Sequence, residues 1–186
     1  MVYHLCWYAA NGPKDLNNML ETKGIEKEKQ LAQLLLGVGF NFAVGVPCGV
    51  LQHIIRHLQE KLGANHLYAT RESEAIGLAG GAYLAGKKPL VYMQNSGFLN
   101  SINDISSLLL AYKIPTLLII SWRGAPGEDA PQHFLNGSIT TDILKLLGIP
   151  YCLADQTDLP SLAKFANQKF AQGRVAAIVI KRGDFE

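Results

Sequence analysis

Six short apolar runs, NFAVGVP, HLYAT, PLVYMQ, TLLIIS, YCLA and AAIVIK, are each separated from the next by a longer stretch with helical spacing. This alternation constrains the fold more than any other feature of the chain. Most of the runs are apolar at successive rather than alternate positions, so the predicted strands are covered on both faces. The intervening stretches supply the cover; VLQHIIRHLQEKLG, for example, sets Leu51, Ile54, Ile55 and Leu58 at helical spacing. Strands taking turns with helices predict parallel pairing: an α/β fold with a single doubly wound, mainly parallel six-stranded sheet flanked by helices. EKEKQLAQLLLGVG gives the first helix. The domain is therefore expected over residues 25–186, with residues 1–24 as an N-terminal extension or partner-contacting arm.

The 186 residues are enough for one domain with a substantial core. A formal net charge of +2 leaves no broad basic footprint for nucleic acid. Cys6, Cys48 and Cys152 are widely spaced and odd in number, which suits a reducing cytoplasm better than a disulfide framework. No apolar run reaches the length of a membrane helix, and MVYHLCWYAANGPKD lacks the basic start and long apolar centre of a signal peptide. The expectation is a cytoplasmic protein with neither a membrane nor a nucleic-acid partner.

Open parallel sheets bind ligands beyond the carboxyl ends of their strands. That rule selects four junctions: GVPCG (45–49), TRESE (70–74), QNSG (94–97) and SWRGAPGEDAPQH (121–133). Loops are polar and glycine-rich in general, so composition alone does not make these a site. Two imitations of known sites fail. GAYLAGKK carries Gly81, Gly86 and Lys87 at phosphate-loop spacing, but Lys88 stands where Ser or Thr is required and a strand follows rather than precedes it. Its glycines are expected to end and thin a helix. His53 and His57 lie four apart on a helix, with no glutamate between them and no third ligand, and read as a solvated helix edge. Cys48, at a strand end, is either a small packing residue or a reactive thiol. The chain also lacks G-x-G-x-x-G after its first strand, which weighs against a nucleotide-binding domain.

The RESE segment contains two carboxylates with different prospects. A helix amino terminus favours negative charge, which accounts for Glu74. Glu72 sits at the strand–helix turn itself, ahead of Ala75, Gly77, Ala79, Gly80, Gly81 and Ala82, a surface that admits another backbone or a flat ligand. An apolar, close-packed setting favours the neutral form of a carboxylate and lets it exchange protons near neutrality. Glu72 is thus the candidate acid/base group.

With GVPCGVL, RESEAIGLAGGAYLAGKKPLVYMQNSG, SWRGAPGEDAPQH and LGIPY in this order, the chain from about Gln30 to its end resembles the pyrimidine-binding domain of thiamine diphosphate-dependent decarboxylases. Within that family it is most similar to phosphonopyruvate decarboxylases and sulfopyruvate decarboxylase alpha subunits. The resemblance implies that Glu72 bonds a ring nitrogen of the cofactor's aminopyrimidine and shares a proton with it, so that the activated cofactor can decarboxylate a 2-oxo acid. It implies that Gln94, Asn95, Ser96 and Gly97 border the cofactor, with Asn95 and Ser96 also reaching substrate. Pro47 and Cys48 would approach substrate, and Arg123, Gln132 and His133 would recognise an anionic head group, for which arginine's paired donors are suited. Arg123 in a surface ion pair and His133 in a structural role are the plainer alternatives. One departure is the loop at Cys48 and Gly49, where some family members carry an acidic or hydroxyl residue. The Gly-Asp-Gly motif with a downstream Asn, which holds Mg2+ and diphosphate in the family, is not found, and Gly183-Asp184-Phe185 does not replace it. The expectation is therefore the alpha subunit of a split enzyme. It would bind no metal itself, and a separate beta subunit would complete a hetero-oligomer around thiamine diphosphate and Mg2+. Phosphonopyruvate is the first expected substrate and sulfopyruvate the alternative; a non-catalytic module of the same fold is a third possibility.

Overall fold

The computed structural model describes residues 23–126 and 131–185. All six predicted strands form: β1 (Phe42–Gly45), β2 (His66–Tyr68), β3 (Pro89–Gln94), β4 (Leu117–Ser121), β5 (Tyr151–Leu153) and β6 (Ala176–Ile180). Every pairing is parallel, in the order β2-β1-β3-β4-β6-β5. The helices are α1 (residues 23–37), α2 (Gln52–Leu62), α3 (Glu72–Leu84), α4 (Asn95–Asn100), α5 (Ile102–Asp104), α6 (Phe134–Leu146) and α7 (Leu159–Ala171). The central strands β1, β3, β4 and β6 are buried on both faces along nearly their whole length, as unbroken apolar composition requires, whereas the edge strands β2 and β5 are partly exposed. One face packs Leu31 and Leu35 of α1, Ile54 and Leu58 of α2, and Leu162 and Ala166 of α7. The other packs Ile76 and Ala79 of α3, Ile105 and Leu109, and Leu144 of α6. Most of the expected N-terminal extension, residues 1–22, lies outside the described residues, and residues 23–24 already belong to α1.

Two stretches differ from the sequence expectation. QNSG was expected as a strand-end loop, but α4 begins at Asn95, so three of its four residues are helical. NSINDISSLLLAYK was expected as one helix. It is instead broken after α4 and, beyond α5, wound as a π-helix over Ile105–Leu110. Serine hydroxyls that compete for backbone carbonyls account for the interruption: Ser101 Oγ donates to Gly97 O at 2.8 Å, and Ser106 and Ser107 both donate to Asn103 O.

The apparent phosphate loop is a helix end. Gly86, at φ +79°, follows the last turn of α3. Its N–H meets Tyr83 O while the N–H of Lys87 meets Ala82 O, both at 2.9 Å, the paired bonds of a glycine C-terminal cap. Gly80 thins the same helix against Leu108, whereas Gly77 and Gly81 face open space. His53 and His57 are half-buried rather than solvated, and His57 Nε2 pairs with Gln33 Oε1 of α1 at 3.0 Å. Asp184 accepts the N–H of Lys181 at 2.8 Å and Phe185 is buried in the core, so the GDF segment closes a turn.

Candidate functional site

The four strand ends singled out in the sequence belong to β2, β1, β3 and β4, consecutive neighbours in the sheet. The chain leaves β1 toward β2 on one side and places β3 on the other. The crevice between β1 and β3 is therefore the switch point at which parallel sheets bind ligands. Gly45, the last residue of β1, permits a close approach there, since a Cβ on it would collide with the Tyr92 carbonyl and ring. Tyr92 is anchored in turn, its hydroxyl 3.1 Å from His66 Nε2 and 3.2 Å from Leu67 O. Burial, reinforced by Tyr68 and Cys48, pushes the Tyr92 phenol above its ordinary range, and burial lowers the His66 pKa. Both groups are neutral supports at neutral pH.

Glu72 and Glu74 separate as expected. Glu74 folds back across the N-terminus of α3, where its Oε2 accepts from Thr70 N at 2.8 Å and from Thr70 Oγ1 at 2.7 Å. Arg71, the N-cap, offers no side-chain cap, and Glu74 instead ties the first turn of the helix to Thr70, the residue before that cap. The hydrogen bonds from the Thr70 side chain and backbone hold the Glu74 carboxyl below its usual pKa. Glu72 is half-buried, and its carboxylate lies directly against the Cα of Gly97 in the first turn of α4. A Cβ on Gly97 would occupy the space of the Glu72 carboxyl group. The Glu72 carboxylate makes no hydrogen bond or ion pair among the described residues. It therefore has acceptor capacity to offer a ligand N–H at the mouth of the crevice.

The remaining candidates are placed unevenly. Gln94 donates to Ser96 Oγ at 2.8 Å, both side chains half-buried at the edge. Asn95 is completely buried. Its Nδ2 donates to Arg123 O at 2.8 Å and to Thr140 Oγ1 at 3.0 Å, and its Oδ1 accepts from Arg123 N at 3.2 Å. Its two amide hydrogens are thus committed inside the protein. Pro47 is exposed and Cys48 half-buried. The Cys48 thiol donates to Ser121 Oγ at 3.3 Å, bridging the ends of β1 and β4. Arg123 stands half-buried beside Gly124, whose φ of +72° turns the chain so closely past His133 that a Cβ would overlap the His133 carbonyl. Arg123 and His133 are thereby held on neighbouring segments. Gln132 is exposed in the turn Pro131–His133, and residues 127–130 of the same motif lie outside the described residues.

Three contributors were not singled out for these roles in the sequence. Ser121 is the polar last residue of an apolar strand, a pattern that marks a side chain turned toward the edge. Thr140 gave no signal inside its helix. Glu28 gave no signal within its charged helix start, yet it accepts backbone hydrogen bonds from His53 and Ile54 in the first turn of α2. Leu51, the N-cap of that helix, has no capping group of its own. Burial raises the Glu28 pKa to about 7 despite those bonds. Among the described residues, no cluster of three or more His, Cys, Asp or Glu side chains could hold a metal ion, and no helix is long and apolar enough to cross a membrane.

Comparison with known proteins fits this arrangement. The model of the family described as thiamine pyrophosphate enzyme, N-terminal TPP binding domain, matches residues 26–146. The sulfopyruvate decarboxylase subunit alpha of Methanococcus maripaludis is 43% identical over 117 residues, which cover 63% of this chain and 70% of that protein. The corresponding subunit of Methanocaldococcus jannaschii is 44% identical over 110 residues, 59% of this chain and 65% of that protein. A phosphonopyruvate decarboxylase of Streptomyces viridochromogenes is 40% identical over 124 residues, 66% of this chain but 31% of that protein.

Proposed function

Because this chain belongs to the thiamine pyrophosphate enzymes, as their N-terminal TPP-binding domain, we propose that it is the pyrimidine-holding subunit of a decarboxylase acting on a short 2-oxo acid with an anionic head group. The half-buried Glu72 carboxylate, seated on Gly97 with no partner among the described residues, carries this reading. A carboxylate so placed fits an aminopyrimidine, whose ring nitrogen needs an acceptor able to take and return a proton. Thiamine diphosphate, when bound, supplies the electron sink that carbon dioxide loss requires.

Glu72 holds and exchanges the proton at the pyrimidine nitrogen. Gly97 keeps that carboxylate at a fixed place, and Gln94 and Ser96 line the same edge. Pro47 and Cys48 approach substrate from the neighbouring strand end, while Arg123, with His133 and Gln132 beside it, supplies donors for the head group. The relatives named as alpha subunits support a separate partner that holds the diphosphate and Mg2+. Sequence motifs put phosphonopyruvate first. Three alpha-subunit relatives at 42–44% identity favour sulfopyruvate at least as strongly, and both substrates present a tetrahedral oxyanion to Arg123.

The test is to combine the chain with its diphosphate-binding partner, thiamine diphosphate and Mg2+, and to follow carbon dioxide release from sulfopyruvate and phosphonopyruvate. Glu72→Gln should lower turnover by about 10²-fold or more, the scale of a lost acid/base group. Turnover by the unmixed chain would refute the need for a partner, and an active Glu72→Gln complex would refute the proton-exchange role.

A further inference from the structure

We infer that Asn95 and Thr140 are positioning residues that fix the Arg123 backbone, and through it the affinity for the substrate's anionic head group; this rests on the function proposed above. One side chain occupies both polar groups of one backbone residue: Asn95 Nδ2 donates to Arg123 O and Asn95 Oδ1 accepts from Arg123 N. An amide that grips a residue at its N–H and its C=O fixes the Cα, and so the point from which the guanidinium reaches. The second Asn95 hydrogen goes to Thr140 Oγ1, whose own proton goes to Asn136 O at 2.5 Å. Asn95 and Thr140 are each 0% exposed. With no water to substitute for a missing partner, the geometry holds only while every link is made.

The rest of the turn is fastened to the same helix. Trp122 Nε1 donates to Gly137 O at 2.9 Å, and Gly137 packs so tightly on Gly124 that a Cβ would overlap the Gly124 carbonyl. Trp122, Arg123 and Gly124 are therefore mounted on α6, while Asn95 joins that mount to the first turn of α4, two residues from the Gly97 that seats Glu72. The proton-exchanging carboxylate and the head-group arginine share one rigid bracket. Asn95 thus ties the segment that seats Glu72 to the segment that carries Arg123, while its own amide hydrogens remain committed inside the protein.

The variant that isolates this role is Thr140→Val, which keeps the side-chain shape and deletes the hydroxyl that receives Asn95 Nδ2. In the assembled complex it should raise KM for the head-group substrate by about fivefold, the effect of one lost buried hydrogen bond, with kcat changed less than twofold. Thr140→Ser, which restores the hydroxyl, should return KM to near the wild-type value. In the isolated chain, exchange of the Arg123 amide hydrogen, read by NMR, should quicken in Thr140→Val and return toward the wild-type rate in Thr140→Ser. An unchanged KM, or a fall in kcat with KM unmoved, overturns the inference even where the wild-type complex decarboxylates normally. If the wild-type complex decarboxylates neither substrate, the proposed function fails and the head-group role falls with it. The exchange rates then show separately whether the bracket holds Arg123.

Discussion

Gly97→Ala is the sharpest probe of the contact between α4 and Glu72. The added methyl would overlap the Cγ, Cδ and Oε1 atoms of Glu72, and no other heavy atom is among its three nearest. The backbone of Gly97 is not left-handed, so alanine itself is conformationally acceptable there. Strain thus falls on one flexible side chain that can swing toward solvent. Such an escape costs about 0.5–1.5 kcal/mol for an off-rotamer torsion, partly offset by about 0.5–1 kcal/mol for alanine over glycine within a helix. The net stability change should be near 1 kcal/mol or less, a Tm shift of roughly 2–4 °C for a chain of this size. Function should suffer far more, because a displacement of about 1 Å at a reacting group can cost 10²-fold. Circular dichroism melting of the chain and kcat/KM of the assembled complex test both halves. A complex with kcat/KM within threefold of wild type would refute the claim that Gly97 seats Glu72. A large loss of Tm would show that the overlap is relieved in the backbone and not at the carboxylate.

Gly45→Ala should behave differently, because its Cβ would meet the Tyr92 backbone carbonyl, which cannot swing aside; the cost should be ~3 kcal/mol or more, read as insoluble or strongly destabilised protein. Gly81→Ala, where nothing lies within 4 Å, should raise the Tm of the isolated chain by the equivalent of about 0.5–1 kcal/mol. The pH dependence of stability should carry the mark of Glu28. Its folded pKa of about 7 lies above the ordinary carboxylate value of 4.5, so its contribution is fully present below pH 4.5 and is lost as pH rises through about 7. Asp184, raised from 3.8 to about 6, acts in the same direction over its own window. Tm should therefore fall between pH 5 and pH 8, and Glu28→Gln, which keeps an acceptor for His53 and Ile54, should flatten the fall; an unaltered slope would refute the assignment.

The fold was legible because its signal is collective: six short apolar runs, most of them apolar at successive positions and each separated by a helical stretch, leave few arrangements besides a parallel sheet. The position of the candidate site follows from the same reading, since strand ends follow from strands. What individual side chains do there was less so. Glu72 could be told from Glu74 because one stands at the turn and the other within reach of the preceding backbone, a distinction of local spacing. Asn95 could not be recognised as an internal bracket, because its partners Arg123 and Thr140 lie 28 and 45 residues away. Glu28 caps a helix other than its own, and no local motif encodes that contact. The hydroxyls of Ser101, between α4 and α5, and of Ser106 and Ser107, beyond α5, interrupt what the apolar period reads as one helix, an effect of competing hydrogen bonds that periodicity does not register.

The division between the two carboxylates of RESE has a consequence that separates structure from chemistry in a single experiment. Glu74 accepts both the N–H and the hydroxyl of Thr70, so its loss frees the turn that leads into α3 while leaving the Glu72–Gly97 contact in place. Glu74→Ala should lower the Tm of the isolated chain, and the loss should shrink with falling pH as the wild-type carboxylate is protonated. This follows from its depressed folded pKa: the stabilisation is present above the unfolded value and disappears as pH drops through the folded one. At a temperature well below melting, the same variant in the assembled complex should keep most of its decarboxylase activity. Glu72→Gln should show the reverse, near-normal melting with activity lost. If both variants lose activity in proportion to their Tm, the carboxylates act together as a helix start and the acid/base assignment of Glu72 fails. If only Glu72→Gln is inactive while it melts like wild type, the small-sided helix behind it supports a single proton-exchanging group, and Glu74 serves to hold the turn that presents it.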